Sequence, residues 1–256
     1  MKSSIILVAL LSLTAAKSVE DALLKNGLQS KFKDERNSLE GDKLTAINTE
    51  INEFVDKICE NFPAFAEKSK LEPILLDNIK QQFLTASIEL THGKLNGLSH
   101  VYRDGDVTVT YDRNANIITL NLPLLFKKLS FTYDYHVVVF LVGPTGGLTG
   151  SIDNFRLSIN LSLDLNKYQA KLNKIKTSNS GHITVKFDGH LSDVILNIMS
   201  QFVTTALHPI LQGFIEAIVK NASNKVVDGV NKVIDEILNP DVIKNFDLTQ
   251  YQQYLR

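Results

Sequence analysis

Asn154-Phe155-Arg156-Leu157-Ser158-Ile159-Asn160-Leu161-Ser162-Leu163-Asp164-Leu165 alternates polar and apolar residues without a break. Successive side chains of a strand point to opposite faces. Phe155, Leu157, Ile159, Leu161, Leu163 and Leu165 therefore share one face, and Asn154, Arg156, Ser158, Asn160, Ser162 and Asp164 share the other. One face meets apolar matter and the other meets water, as in an antiparallel sheet covered on a single side. Upstream, Leu129, Phe131, Tyr133, Tyr135, Val137, Val139 and Leu141 take one parity. Ser130, Thr132, Asp134 and His136 take the other, which turns apolar at Val138. A strand from Leu129 to Leu141 exceeds the usual length. Gly143-Pro144-Thr145-Gly146-Gly147 reads as the turn after it, with the next strand running from Leu148 to Leu165.

Period-two patterning extends from about Leu84 to Asp188. Shorter runs are Ile88-Leu90, Val107-Tyr111, Ile117-Leu122, Tyr168-Leu172 and Ile183-Phe187. The intervening turns, such as Arg103-Asp106 and Asp112-Asn116, are too short for parallel crossovers, so the strands are antiparallel neighbours. On either side the period is helical. Leu44, Ile47, Ile51, Phe54, Val55 and Ile58 recur at three and four residues, and Pro63 is expected to end that helix. Ile74-Leu75-Leu76 after Pro73 predicts a second short helix reaching Phe83. After Gly189, Leu191, Val194, Ile195, Ile198, Phe202 and Val203 form one stripe. Pro209 marks a kink or the first turn of a new helix. A second stripe runs through Leu211, Phe214, Ile215, Ile218, Val219, Ala222, Val226, Val230, Val233 and Ile237, until Asn239-Pro240 stops it.

The 256 residues include 27 Lys+Arg against 28 Asp+Glu, giving a net charge of -1, with 44% hydrophobic residues and one cysteine. That mixture excludes a disordered chain. The balance of charge argues against nucleic acid as a partner, because phosphate binding needs clustered cations. A lone cysteine excludes a disulfide framework and a Cys-rich zinc site. Lys2, the apolar stretch Ile5–Leu11 and the small residues Thr14-Ala15-Ala16 read as a secretory signal over 1–16. A polar flexible leader follows over 17–42, then one domain over 43–238 and a tail over 239–256. No later stretch is an uninterrupted apolar run of membrane-spanning length.

No catalytic constellation appears. Gly-x-Ser-x-Gly, His-Glu-x-x-His and a complete phosphate loop are all missing, so an enzyme is not expected and no cofactor or metal is implied. Cys59 reads as a half-buried thiol without a basic neighbour to activate it. Asn160-Leu161-Ser162 and Asn221-Ala222-Ser223 are glycosylation sequons, each with its asparagine on a polar side. What remains is a large apolar face, and periodicity alone does not tell a filled core from a hollow one.

Signal, helix, antiparallel meander and long C-terminal helix in that order resemble the tubular lipid-binding superfamily. The stretch from about Leu84 to Leu238 is most similar to the mite group 7 allergens and their insect relatives, with juvenile-hormone-binding and takeout-like proteins as cousins. The residues that carry the likeness are Tyr133 to Leu141, Ile152 to Leu165, Gly189-His190-Leu191 leading into Val194 to Phe202, and Phe214-Ile215-Glu216-Ala217-Ile218-Val219-Lys220. The juvenile-hormone-binding and takeout-like proteins carry an N-terminal disulfide that Cys59 alone cannot make, which favours the group 7 branch.

The resemblance implies an α+β fold, a long and highly curved antiparallel sheet wrapped around the C-terminal helix, with an apolar tunnel or groove between. By periodicity the inward positions, and so the candidate lining, are Phe131, Tyr133, Tyr135, Phe155, Leu157, Ile159 and Leu161 from the sheet and Ile195, Ile198, Phe202 and Val203 from the helix. The Tyr133 and Tyr135 hydroxyls are candidates to meet a ligand's polar head. The expected function is a secreted, extracellular carrier or sensor of a hydrophobic small molecule, such as a fatty acid, lipid or isoprenoid, with transient membrane contact and an unnamed receptor. Recognition of bacterial lipids or lipopeptides is the first alternative, which a basic cluster such as Lys167, Lys171, Lys174 and Lys176 would favour. A structural, oligomerising protein is another, and a lipid hydrolase lacks its nucleophile motif.

Overall fold

The computed structural model describes residues 42–112, 114–139, 143–189 and 191–238. The signal at 1–16, all but the last residue of the leader at 17–42, and the tail at 239–256 lie outside these residues. The first helix, α1 (Asp42–Lys68), passes through Pro63 instead of ending there. Proline removes the N–H that would bond the Cys59 carbonyl. The apolar face nonetheless continues beyond it: Phe62 and Phe65 stack with centroids 6.5 Å apart, and Ala66 is buried. Packing past the break holds the helix together.

Nine strands among the described residues form one antiparallel sheet: β1 (Ile74–Leu76), β2 (Ile79–Gln82), β3 (Ala86–Asn96), β4 (Val101–Arg103), β5 (Thr108–Asp112), β6 (Ile117–Val139), β7 (Thr145–Asp164), β8 (Gln169–Asn179) and β9 (His182–Phe187). The helix expected after Pro73 is replaced by β1 and β2, both paired to β3. A short apolar run has no preferred period of its own, and here the edge of β3 decides. Leu76 and Ile79 turn inward while Leu75 is exposed.

The spine is the β6–β7 hairpin. Its register runs from Ile117↔Asp164 at the far end to His136↔Thr145 near the hairpin connection. Near the connection β6 is flanked by β3 and β7 by β9; at the far end β6 is flanked by β4 and β5, and β7 by β8. The run at 117–122 and the run from 129 as far as Val139 thus belong to one strand through Pro123, the expected continuation to Leu141 lying outside the described residues. Proline is tolerated in a sheet only where its missing donor is not needed. The Pro123 carbonyl accepts from the Asp104 N–H at 3.0 Å, on the side where β4 ends and β5 has not begun.

The glycine-rich stretch is strand as well as turn, since Gly146, Gly147 and Gly150 lie inside β7. Each faces a close neighbour. A Cβ on Gly150 would lie 2.3 Å from the Phe131 ring, and one on Gly146 would lie 2.6 Å from the Tyr135 hydroxyl. Glycine makes room there for large β6 rings opposite, with Phe131↔Gly150 and Tyr135↔Gly146 in register.

Halfway along the hairpin the inward parity changes. Phe126 and Leu129 are both buried, with two exposed lysines between them. On β7 the matching residues are Ile152 and Phe155, and Asn154 takes the left-handed conformation at φ 60°. Irregular pairing at Thr91/Lys94 in β3, and twice where β7 meets β8, adds bend and twist.

The helical arm closes the open face of this sheet. It comprises α2 (Asp193–Phe202), one π-helical turn (Val203–Leu207) and α3 (His208–Leu238). Pro209 follows directly on the π-helical turn inside a continuous arm, and that widened turn is where the helix accommodates its missing donor. Met199, Phe202, Val203, Leu207, Leu211 and Ile215 share one buried cluster with Ile88, Phe131, Tyr133 and Phe155 of the sheet. The arm is long and apolar enough to cross a membrane by length and mean hydropathy, and one face of it carries the stripe that packs into this cluster. Val194, expected on that stripe, points outward and is 63% exposed, and Ala222 is exposed too.

Candidate functional site

The two ends of the sheet differ in how far they are filled. From the hairpin connection to just past its midpoint, Phe131, Tyr133, Tyr135, Phe155, Leu157 and Phe202 are each no more than 2% exposed and pack on one another and on their neighbours. Phe126 and Phe155 meet at 6.3 Å, and Tyr135 meets the edge of Phe187 at 6.0 Å. Both tyrosine hydroxyls are used within the chain: Tyr133 donates to the Asp77 carbonyl at 3.2 Å and Tyr135 to the Asp188 carbonyl at 2.6 Å. Burial, with the nearby Asp77 charge, pushes the Tyr133 phenol well above its ordinary pKa; burial and Asp188 raise that of Tyr135. These six candidates form the packed end of the core.

Toward the far end the cross-strand pairs Leu122↔Ile159, Leu120↔Leu161 and Ile118↔Leu163 continue the apolar face of the hairpin. Ile159 is still buried, but Leu120, Leu122, Leu161 and Leu163 are only half-buried. Leu172 and Ile175 of β8 and Phe214, Ile218 and Val219 of α3 are half-buried against the same core. Ile195 and Ile198 are likewise half-buried, Val203 is buried, and all three sit on the helical side of the packed end. The candidate lining is thus split: Leu161 and Ile159 reach the looser end, and the others do not.

At this looser end the sheet and the helix leave a groove of about 440 Å³, bordered by Leu172 to Ile175 of β8 and by Gly213, Glu216, Ala217, Lys220 and Asn224 of α3. Small-molecule sites commonly span ~300–1,000 Å³. The groove exists because α3 runs along the free edge of β8 and is tied to it at intervals. His208 Nε2 lies 2.9 Å from the Ser180 carbonyl. The Thr177 hydroxyl donates to Glu216, which also accepts from Gln212. Asn231 acts as a stand-in strand partner, its Oδ1 accepting from the Ala170 N–H at 2.6 Å and its Nδ2 donating to the Ala170 carbonyl at 2.9 Å. From Thr177 to Ala170 along the strand, and from Glu216 to Asn231 along the helix, the spans agree at roughly 22–23 Å, from ~3.3 Å per strand residue and ~1.5 Å per helical residue. Between these ties the helix presents Gly213 and Ala217, too small to fill the gap.

The periodicity of α3 and β8 identified apolar stripes but not this groove, which arises from two segments some forty residues apart. Gly213 and Ala217, four residues apart on a helix otherwise rich in Ile and Val, were the signal available. Of the four lysines singled out as a basic cluster, Lys171, Lys174 and Lys176 stand on β8, and Lys174 alone among the four borders the groove. Lys167 sits in the turn beside Asp164, 3.7 Å away.

Other chemistry is sparse. Cys59 is free and half-buried, and burial, with Asp56 nearby, pushes its thiol pKa up, which makes it a poor nucleophile. The Arg103 guanidinium holds the Asp56 carboxyl below its usual range and joins α1 to β4 at 2.8–2.9 Å. Among the described residues no group of three or more His, Cys, Asp or Glu side chains could hold a metal. Of the sequons, Asn160 lies in the central strand β7 and accepts from the Asn173 amide at 2.9 Å, whereas Asn221 is exposed on α3.

An antiparallel sheet closed by one long C-terminal helix, with a groove between them, is the class of protein this geometry defines. Residues 50–234 match the group 7 allergen family, and the chain belongs to it. Among solved structures it is similar to Epiphyas postvittana Takeout 1, at 15% identity and a TM-score of 0.33, covering 70% of this chain and 89% of that one. It is similar also to a lipopolysaccharide binding protein, at 13% identity and a TM-score of 0.38. That match covers 77% of this chain and 39% of the other. No curated protein matches the chain.

Proposed function

We propose that this protein is a secreted, non-enzymatic carrier of a hydrophobic small molecule, a fatty acid, lipid or isoprenoid, held between the far end of the β6–β7–β8 sheet and α3. One observation carries this reading: the apolar face of the hairpin stays in cross-strand register beyond the packed core, yet its leucines are left half-buried beside an open groove. Half-buried leucines in matched pairs leave apolar area that a ligand can remove from water. Covering about ten methylenes at ~0.8 kcal/mol each contributes roughly 8 kcal/mol, part of which lost ligand freedom offsets. Affinity on the micromolar scale, about 8.2 kcal/mol, is therefore the upper limit from ten methylenes, without a demand for specific polar contacts. The apolar N-terminal stretch supports secretion, and exposed Asn221 is the proposed glycan site.

The test is native mass spectrometry of protein secreted from eukaryotic cells, followed by displacement of an environment-sensitive apolar dye from delipidated protein. Co-purifying lipid and saturable displacement by long-chain ligands are expected. A ligand-free monomer that takes up no dye would overturn the reading, and a stable ligand-free dimer would point to assembly instead.

A further inference from the structure

The β8–α3 groove is not uniformly apolar. Leu172 and Ile175 form its floor on the core side, while Lys174 and Lys220 stand at its rim on opposite walls, one from the strand and one from the helix. Neither lysine forms an ion pair with a described residue. The acid in the groove, Glu216, is occupied by the Thr177 hydroxyl and the Gln212 amide. The rim is therefore net positive over an apolar floor, complementary to a molecule with one anionic head and one apolar chain.

Resting on the carrier reading, we propose that the groove is the mouth through which a single-chain carboxylate amphiphile of the long-chain fatty acid class enters. Lys174 and Lys220 receive its carboxylate, and Leu172 and Ile175 take the first part of its chain. The ties at His208–Ser180 and Ala170–Asn231 frame the mouth, with Gly213 and Ala217 between them on the helix.

The probes are oleate and its uncharged analogue oleyl alcohol, measured on the wild type and on the double variant Lys174→Gln/Lys220→Gln. Both lysines are exposed, so the variant is expected to fold with an unchanged thermal midpoint. Two solvent-exposed ion pairs give the wild type a preference for oleate of about two- to thirtyfold. That preference weakens as salt rises. The double variant is expected to lose the preference while its affinity for the alcohol stays the same. Equal binding of oleate and alcohol by the wild type, or a preference that survives in the double variant, overturns the head-group assignment and leaves the carrier reading standing. Failure of the wild type to bind either probe overturns both.

Discussion

Gly213→Leu sets the stability of α3 against the use of the groove beside it. Gly213 has ordinary helical geometry, and a Cβ built on it meets no atom within 4 Å outside its own helix. Glycine in a helix interior costs roughly 0.8–1.0 kcal/mol relative to alanine, and leucine is nearly as good a helix former as alanine. The substitution is therefore expected to stabilise the protein by about 0.5–1 kcal/mol. In a domain of this size that raises the thermal midpoint by roughly 1–4 °C. The same side chain projects into the space between helix and β8 that a ligand would use. Scanning calorimetry of delipidated protein reads the first effect, and dye displacement with stopped-flow association reads the second. The expected pair of results is a higher midpoint with binding weakened at least tenfold. A fall of several degrees would mean that the space at Gly213 is not open. A raised midpoint with unchanged affinity and association rate would mean that ligand does not pass this way, and the groove would lose its assigned role.

Other outcomes follow from the same geometry. Asn231→Ala removes both bonds to the Ala170 backbone and is expected to cost about 1–2 kcal/mol. Faster amide exchange at Ala170 would report it, and unchanged exchange would deny that the side chain holds the edge strand. Gly150→Ala puts a methyl 2.3 Å from the Phe131 ring. It should destabilise by about 3 kcal/mol, because a packed core absorbs an extra carbon poorly; a neutral result in chemical denaturation would contradict the close packing at that end. Tyr133 has its pKa raised in the folded protein, so its contribution to stability is complete below the free-tyrosine pKa of ~10 and is lost as pH climbs above it. Denaturant midpoints taken across the alkaline range should fall less steeply in Tyr133→Phe than in the wild type, and parallel curves would refute this.

Much of the fold could be read along the chain because its signals are local. The alternation of Phe155 to Leu165 and of Leu129 to Val139 assigns the faces of β6 and β7 without reference to anything distant. The 3.6-residue stripes of Ile195 to Val203 and Leu211 to Val219 do the same for the helical arm. Errors arose where a distant partner outweighed a local rule. Pro63 is a local helix stop, but Phe65 and Ala66 carry α1 past it; β6 likewise continues through Pro123, where the gap between β4 and β5 removes the need for a donor. Ile74-Leu75-Leu76 became strand because β3 offered an edge. Gly146, expected in the turn, is strand, with the Tyr135 ring taking the room opposite it.

The site divides along the same line. Periodicity established that Phe131, Tyr133, Tyr135 and Leu161 all face inward, and from the residues alone these positions are equivalent. Only the tertiary structure separates them, since the first three are enclosed by their own chain while Leu161 lies where sheet and helix diverge. Which way a side chain points depends on backbone geometry over a few residues. Whether the space it points into is filled depends on volumes contributed by segments far apart in sequence, and here on how closely a helix carrying Gly213 and Ala217 can lie against the free edge of β8.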